Sequence, residues 1–375
     1  MNLHVVGAGP SGLLLARSCL DLFDEVSIYE EHSTVGEPEH CTGLVSRKIL
    51  ELVPEAQRVV IGSYREIIVV DERLRQVAEL RLEEPAVLLN RKMFEQELAR
   101  YLESRGNVRL LLRERASVYL DREVPVIVTS RRSVRCSDSV VAVCEGSAQR
   151  ISRQILRYQS RDYVYGLQCD AVLRKSLGDS SSIIVILSTR FSNRYFAWII
   201  PISEREVRLG VGYSRGPGTA YLARLSRAVK VSKLRRVFGG KILLSKPPRM
   251  LGVGRLVFVG DSVSQVKPLT GGGLMLITLT TILLSRLMHI LLETRDVNVL
   301  GQVYSRVWHL AYGHYVKKMH RFREVLYSDV VSRVLSMNIL PISLRFSISD
   351  FDAQPRYLAG LKLPSYAHDL SHLFK

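Results

Sequence analysis

The sequence predicts an α/β fold: a Rossmann-like dinucleotide-binding domain, an inserted antiparallel β-sheet domain and a helical C-terminal tail. Three observations carry this. A short apolar run, Leu3 to Val6, opens into Gly7, Gly9 and Gly12 and then into the helix-like stretch Leu13 to Arg17. A second apolar strand-glycine junction, Leu256 to Gly260, returns late in the chain, before a glycine cluster at Gly271 to Gly273. Between them, alternating apolar segments at short spacing read as a β-rich layer.

The stretch LHVVGAGPSG is G-x-G-x-x-G in its required strand-to-helix context. The glycines serve a tight turn, backbone approach to a pyrophosphate, and close packing of helix on strand. Pro10 and Ser11 stand where the helix begins, so phosphates would meet the free N–H groups of its first turn. Glu25 to Tyr29 reads as the next strand and ends at Glu30, followed by Glu31. An acid at that offset accepts from a ribose 2′-hydroxyl and repels a 2′-phosphate, which favours FAD or NAD over NADP.

The remaining elements follow in order. Glu31 to Ser46 is an irregular loop, and loops of this length inside a compact domain are usually functional; a helical run, Arg47 to Leu52, follows it. Tyr64 to Val70 and Gln76 to Leu82 form an expected hairpin. Leu88 to Arg91 leads into a helix, Lys92 to Ser104, whose Phe94, Leu98 and Leu102 share one face. Val108 to Leu112, Pro125 to Thr129 and Ser139 to Gly146 read as strands, as do Tyr163 to Leu173, Ser182 to Ser188, Tyr195 to Pro201 and Glu206 to Tyr213. Ala220 to Val237 reads as a basic helix. The expected nucleotide domain is therefore discontinuous, comprising 1–62, 87–149 and 251–292, with 63–86 and 150–250 as the β-rich substrate domain and 293–375 as a helical C-terminal region.

Composition sets limits. The 375 residues are 47% hydrophobic, enough for a large core. Five cysteines, odd in number and without a C-x-x-C, argue against a disulfide framework and a zinc site. No secretory signal opens the chain, and a reducing cytosol is the expected setting. Leu274 to Leu292 is apolar but broken by Thr278, Thr280, Thr281, Ser285, Arg286 and His289, and reads as a core helix. A formal charge of +17, concentrated in 100–135, 224–255 and 317–323, favours an anionic membrane surface or anionic substrates. No RNA-binding aromatic signature, zinc-finger or zipper pattern accompanies it, so nucleic acid is not expected.

The run Val259 to Ile277, VGDSVSQVKPLTGGGLMLI, resembles FAD-dependent oxidoreductases with the fold of p-hydroxybenzoate hydroxylase. That resemblance implies Gly260 and Asp261 at the ribityl chain, with Pro268, Gly271, Gly272 and Gly273 against the isoalloxazine. More narrowly, the chain is similar to the geranylgeranyl reductase family, the branch that saturates prenyl chains, including those of archaeal ether lipids. Gly36 to Gly43 (GEPEHCTG) resembles its P-x-x-C-x-G loop, Arg91 its cofactor-contacting arginine, and Phe196 to Pro201 (FAWIIP) its Y-x-W-x-F-P strand. The resemblance implies FAD at Cys41, Gly43, Arg91 and Gly146 as well, and prenyl substrate at Phe196, Trp198 and Pro201. Two departures stand out. Glu145-Gly146 replaces the Asp-Gly of the second fingerprint, and Phe196 and Ile200 replace a Tyr and a Phe, while alternation places Tyr195 on the opposite face.

Reduction of an isolated trisubstituted alkene needs a hydride from flavin N5 at one carbon, a proton at the other, and a dry pocket. Cys41 is the candidate for the proton route or for positioning, with His40 beside it. The expected function is an FAD-dependent reductase of isoprenoid C=C bonds, at the cytoplasm or peripherally on its membrane. A flavin monooxygenase and a non-catalytic lipid-binding flavoprotein are the alternatives. With no second nucleotide fingerprint or iron–sulfur cysteine cluster, electrons come from NAD(P)H or an external redox protein.

Overall fold

The computed structural model describes residues 1–177, 181–327, 344–348 and 351–352. A six-stranded sheet runs in the order Gly252–Val253, Leu256–Phe258, Ser139–Val143, Asn2–Val6, Glu25–Tyr29, Val108–Leu111, parallel except for the first pair. Its central strands are rich in apolar residues because both faces are covered; every residue of Ser139–Val143 is buried. Pro10–Ser18 packs against Leu274–Glu293, the apolar helix that follows the glycine cluster. That helix is long and apolar enough to cross a bilayer. Here it buries Leu284, Leu287 and Met288 in the core, and its Thr280 accepts from Trp308 Nε1 at 2.9 Å.

The glycine turn shows why its residues are small. A side chain on Gly7, at φ +106°, would stand 2.4 Å from the Cys144 carbonyl oxygen, and one on Gly12 would stand 2.0 Å from the Gly7 oxygen. At Gly9 nothing lies within 4 Å, so the backbone there is open to a ligand.

The second sheet has nine strands. Its path is Val231–Leu243, Tyr163–Leu173, Glu206–Tyr213, Ala197–Pro201, Ser182–Ile186, Val60–Val70, Gln76–Leu89, Leu344–Ile348, with Leu44–Ser46 also on Gln76–Leu89. It is antiparallel except for two pairings, Ser182–Ile186 on Val60–Val70 and Leu344–Ile348 on Gln76–Leu89. A three-stranded sheet, Ser117–Asp121, Val124–Val128 and Ser133–Arg135, adds two strands that the sequence reading passed over.

The basic stretch expected as one helix, 220–237, is a correction. The helix Gly218–Ala228 stops, and Val231–Leu243 is an edge strand on Tyr163–Leu173. Its Val231, Val237 and Ile242 suit a pleated surface, and Gly239 must sit flat because a side chain there would meet the Gly166 oxygen at 2.1 Å. In the C-terminal region helical structure holds for Leu300–Trp308 and His314–Leu326, joined by a π-helical turn, whereas Leu344–Ile348 is a strand.

Candidate active site

A cavity of 1340 Å³ lies between the carboxyl ends of the parallel strands and one face of the large sheet. That edge is where ligands bind in open α/β sheets. Gly7, Gly9, Pro10, Ser11, Glu30, Glu31, Cys41, Gly43, Arg91, Gly146, Asp261, Gly271, Gly272, Gly273, Phe196 and Trp198 all border it, so the structure gathers most residues singled out from the sequence. Gly12, Gly260, Pro268 and Pro201 do not border it. Gly12 and Gly260 sit behind it for packing, a side chain on Gly260 meeting Ser11 Oγ at 2.0 Å. Pro201 faces away, and its carbonyl accepts from the Tyr64 hydroxyl; by strand alternation Ile200 borders the cavity instead.

At the nucleotide end, Glu30 is fixed before any ligand arrives. Its carboxylate accepts from Ala8 N at 2.9 Å and His32 N at 2.8 Å, and His32 Nδ1 lies 2.6 Å away. Glu145 is used differently from the aspartate it replaces. The longer side chain accepts from the backbone N–H groups of Arg150, Ile151 and Ser152 at 2.6, 2.9 and 2.8 Å, capping the helix Arg150–Ile155.

In the middle of the cavity Arg91 is buried and pairs with Glu95 at 2.5 Å, one helical turn on. Burial opposes the Arg91 charge, but Cys41 and Glu95 outweigh it and hold the guanidinium above its ordinary pKa. Asp261 has no such partner among the described residues: burial pushes its carboxyl up to about 6, only partly offset by Arg91 and His40.

The loop carrying Cys41 is stapled to the large sheet. Gln168 donates to the His40 carbonyl at 3.1 Å and accepts from Thr42 Oγ1 at 2.9 Å. Arg208, buried and paired with Asp170 at 2.7 Å, donates to the Thr42 carbonyl at 2.6 Å. His40 turns its Nδ1 to the Gly239 carbonyl, 2.8 Å away. Sequence reading missed Gln168 and Arg208; the signal was a long polar side chain inside each of two largely apolar strands.

Where the glycine loop meets the large sheet the wall is aromatic. Tyr195 stacks on Phe196 at 4.3 Å between centroids, Phe196 meets Trp198 at 5.7 Å, and Tyr327 lies 5.5 Å from Tyr195. The placement of Tyr195 on the opposite face is corrected here. The strand begins at Ala197, so alternation does not reach Tyr195, and its ring borders the cavity with its hydroxyl beside Gly271. Burial raises that phenol well above its ordinary pKa. Beyond it the sheet face is apolar. One rung crosses six strands through Ala78, Val69, Val185, Trp198, Gly210 and Gln168. Five strand spacings make this rung roughly 24 Å long.

These residues fit FAD. Among the described residues, buried polar atoms without a partner include Arg91 Nε, Tyr195 OH, Trp198 Nε1 and Thr270 Oγ1, all on this cavity. Such atoms are costly unless a ligand satisfies them. Gly9 leaves the helix N-terminus open to a diphosphate, and Asp261 offers a carboxylate with no donor among the described residues.

No family model matches the chain. Digeranylgeranylglycerophospholipid reductase 1 of Methanopyrus kandleri is 27% identical over 292 residues, covering 72% of this chain and 75% of the relative. A geranylgeranyl bacteriochlorophyll reductase-like protein of Thermoplasma acidophilum superposes with a TM-score of 0.79 at 18% identity, covering 92% of each chain. A probable FAD-dependent monooxygenase of Pseudomonas aeruginosa gives 0.68 at 16% identity, over 90% of this chain and 99% of that one. The fold is that of the FAD-dependent oxidoreductases. In sequence and in fold the chain is similar to the geranylgeranyl reductases, of the archaeal digeranylgeranylglycerophospholipid reductase kind.

Proposed function

We propose that this protein is an FAD-dependent oxidoreductase that saturates isoprenoid C=C bonds of prenyl lipids. The observation that carries the reading is one continuous cavity, polar at the glycine turn and apolar across the large sheet, with the aromatic wall where the two halves meet. A long hydrocarbon fits the apolar half, and the names of the sequence relatives favour a prenyl lipid.

When bound, FAD supplies a hydride from N5 of its reduced ring to one alkene carbon. The chain's residues do the rest. Gly7, Gly9, Pro10, Ser11 and Glu30 hold the dinucleotide; Arg91, Asp261 and the Gly271–Gly273 loop hold and orient the flavin end. Backbone N–H groups ahead of a helix favour negative charge there. Phe196, Trp198 and Tyr195 shape the substrate wall, and their ring faces stabilise the positive charge that develops on the hydride-accepting carbon as the other alkene carbon is protonated. Cys41, which borders the same cavity as Arg91 and Tyr195, delivers or relays the proton to the other alkene carbon. Hydride plus proton adds two hydrogens per bond, with electrons from NAD(P)H or a reduced redox protein.

Docking to an anionic membrane surface is supported by the basic edge strand Val231–Leu243, which exposes Leu234 and Val237 beside Lys233 and Arg235. Access to a bilayer-borne substrate would place the protein at the cytoplasmic membrane face. A monooxygenase reading draws on the Pseudomonas neighbour. The test is product analysis: chemically reduced protein, incubated under nitrogen with a geranylgeranylated glycerophospholipid, is expected to yield lipid heavier by two hydrogens per reduced bond. Unaltered lipid, with hydroxylated product only in air, would favour the monooxygenase; unaltered lipid retained under both conditions would favour a binding module.

A further inference from the structure

Lys267 lies in the run that precedes the glycine cluster, and it is buried. Its backbone closes the loop: Lys267 N donates to the Gly272 carbonyl at 3.0 Å, and Gly271 N donates to the Lys267 carbonyl at 2.8 Å. Its side chain runs under Gly272, where an added Cβ would meet Cε at 3.1 Å. The ammonium ends on two residues from far along the chain. It pairs with the Asp352 carboxylate and sits 4.7 Å from the centre of the Phe351 ring. The second Asp352 oxygen accepts from Ser46 N at 2.7 Å, so one carboxylate joins the glycine loop to the end of the Cys41 loop. Phe351 borders the cavity, as does Ser347 in the strand that adds Leu344–Ile348 to the large sheet.

We propose that Asp352 is a positioning residue for the cofactor loop: it latches Lys267, and through it Gly271–Gly273, while neutralising a buried cation beside the flavin end of the cavity. Two consequences follow from charge and geometry. A buried ammonium that loses the carboxylate it pairs with disturbs its surroundings strongly. The same cation, left uncompensated near the ring, favours the more negative, reduced form of a bound flavin. The second consequence rests on the FAD reading above; the first does not.

Amide hydrogen exchange at Lys267 and Gly271, followed in flavin-free protein, tests the latch. Asp352→Asn and the apolar double substitution Lys267→Met/Asp352→Leu are both expected to exchange at least tenfold faster than the parent, and Asp352→Glu to stay near it. The double substitution buries no charge, so it carries the test if Asp352→Asn does not fold. Parent-like exchange in the double variant would overturn the latch. With FAD bound, Asp352→Asn is expected to favour the reduced flavin at least tenfold, a rise of about 30 mV for a two-electron couple, and the double variant to show no such rise. An unchanged potential in Asp352→Asn would overturn the charge role. A parent protein that binds no FAD would instead sink the flavin reading, leaving exchange to judge the latch.

Discussion

Trp198 lies flat over Gly210, close enough that a methyl group on Gly210 would stand 2.0 Å from the indole Cε2. Gly212 makes the same allowance for Tyr195, at 2.1 Å from ring carbon Cδ1. Two alternate glycines of one strand thus form the floor beneath the aromatic wall. Gly210→Ala should tilt the indole off the sheet and destabilise the fold by about 1–3 kcal/mol. Thermal denaturation and the fluorescence of Trp198, one of only two tryptophans, check this; an unchanged melting temperature and emission maximum would show that the indole does not rest there.

Asp261 gives a pH signature in the flavin-free protein. Its carboxyl is raised by burial from 3.8 to about 6. The folded state then binds more protons than the unfolded state between those values, so the stability linked to protonation is full below about 4 and is lost as pH rises through 6. The whole effect is at most about 3 kcal/mol. Asp261→Asn should therefore raise the melting temperature at pH 7–8 and leave it nearly unchanged at pH 4. Equal gains at both pH values would contradict the assignment.

Glu145 is predicted to matter for helix capping. Glu145→Ala removes the acceptor for three backbone N–H groups and should cost about 1–2 kcal/mol, read by urea denaturation. Glu145→Asp should recover only part of this, because the shorter side chain does not span to the helix Arg150–Ile155.

Cys41→Ala tests the proposed proton donor, and Tyr195→Phe tests whether the unpartnered Tyr195 hydroxyl on the same cavity takes that role instead. Each is assayed with FAD bound, as read from its flavin absorbance. The variant lacking the true donor should slow alkene saturation by about 10²-fold or more, measured by single-turnover product formation. Parent-like rates in both would remove both residues from the proton route.

Much of the nucleotide half was legible because its signals are local. Gly7, Gly9, Gly12 and Glu30 act through turn geometry and short spacing, and their roles need no knowledge of distant chain. What was not legible depends on pairing. Val231–Val237 reads as a basic helix until Tyr163–Leu173 is beside it, since edge-strand identity is decided by the neighbour. Arg208 and Gln168 reach a loop more than a hundred residues away. Asp352 reaches Lys267 across 85 residues of chain. Tyr195 escapes the alternation of its neighbours because the strand starts only at Ala197, two residues later than its sequence suggests. The glycines at 210 and 212 did leave a signal, since alternate glycines in a strand mark close approach from one face.

The most direct test of the central claim follows flavin absorbance without oxygen. Protein reconstituted with FAD and reduced by dithionite is mixed with a geranylgeranyl lipid. The account predicts reoxidation of the flavin in step with saturation of the lipid. A flavin that stays reduced until oxygen is admitted, with the lipid unchanged, would contradict it.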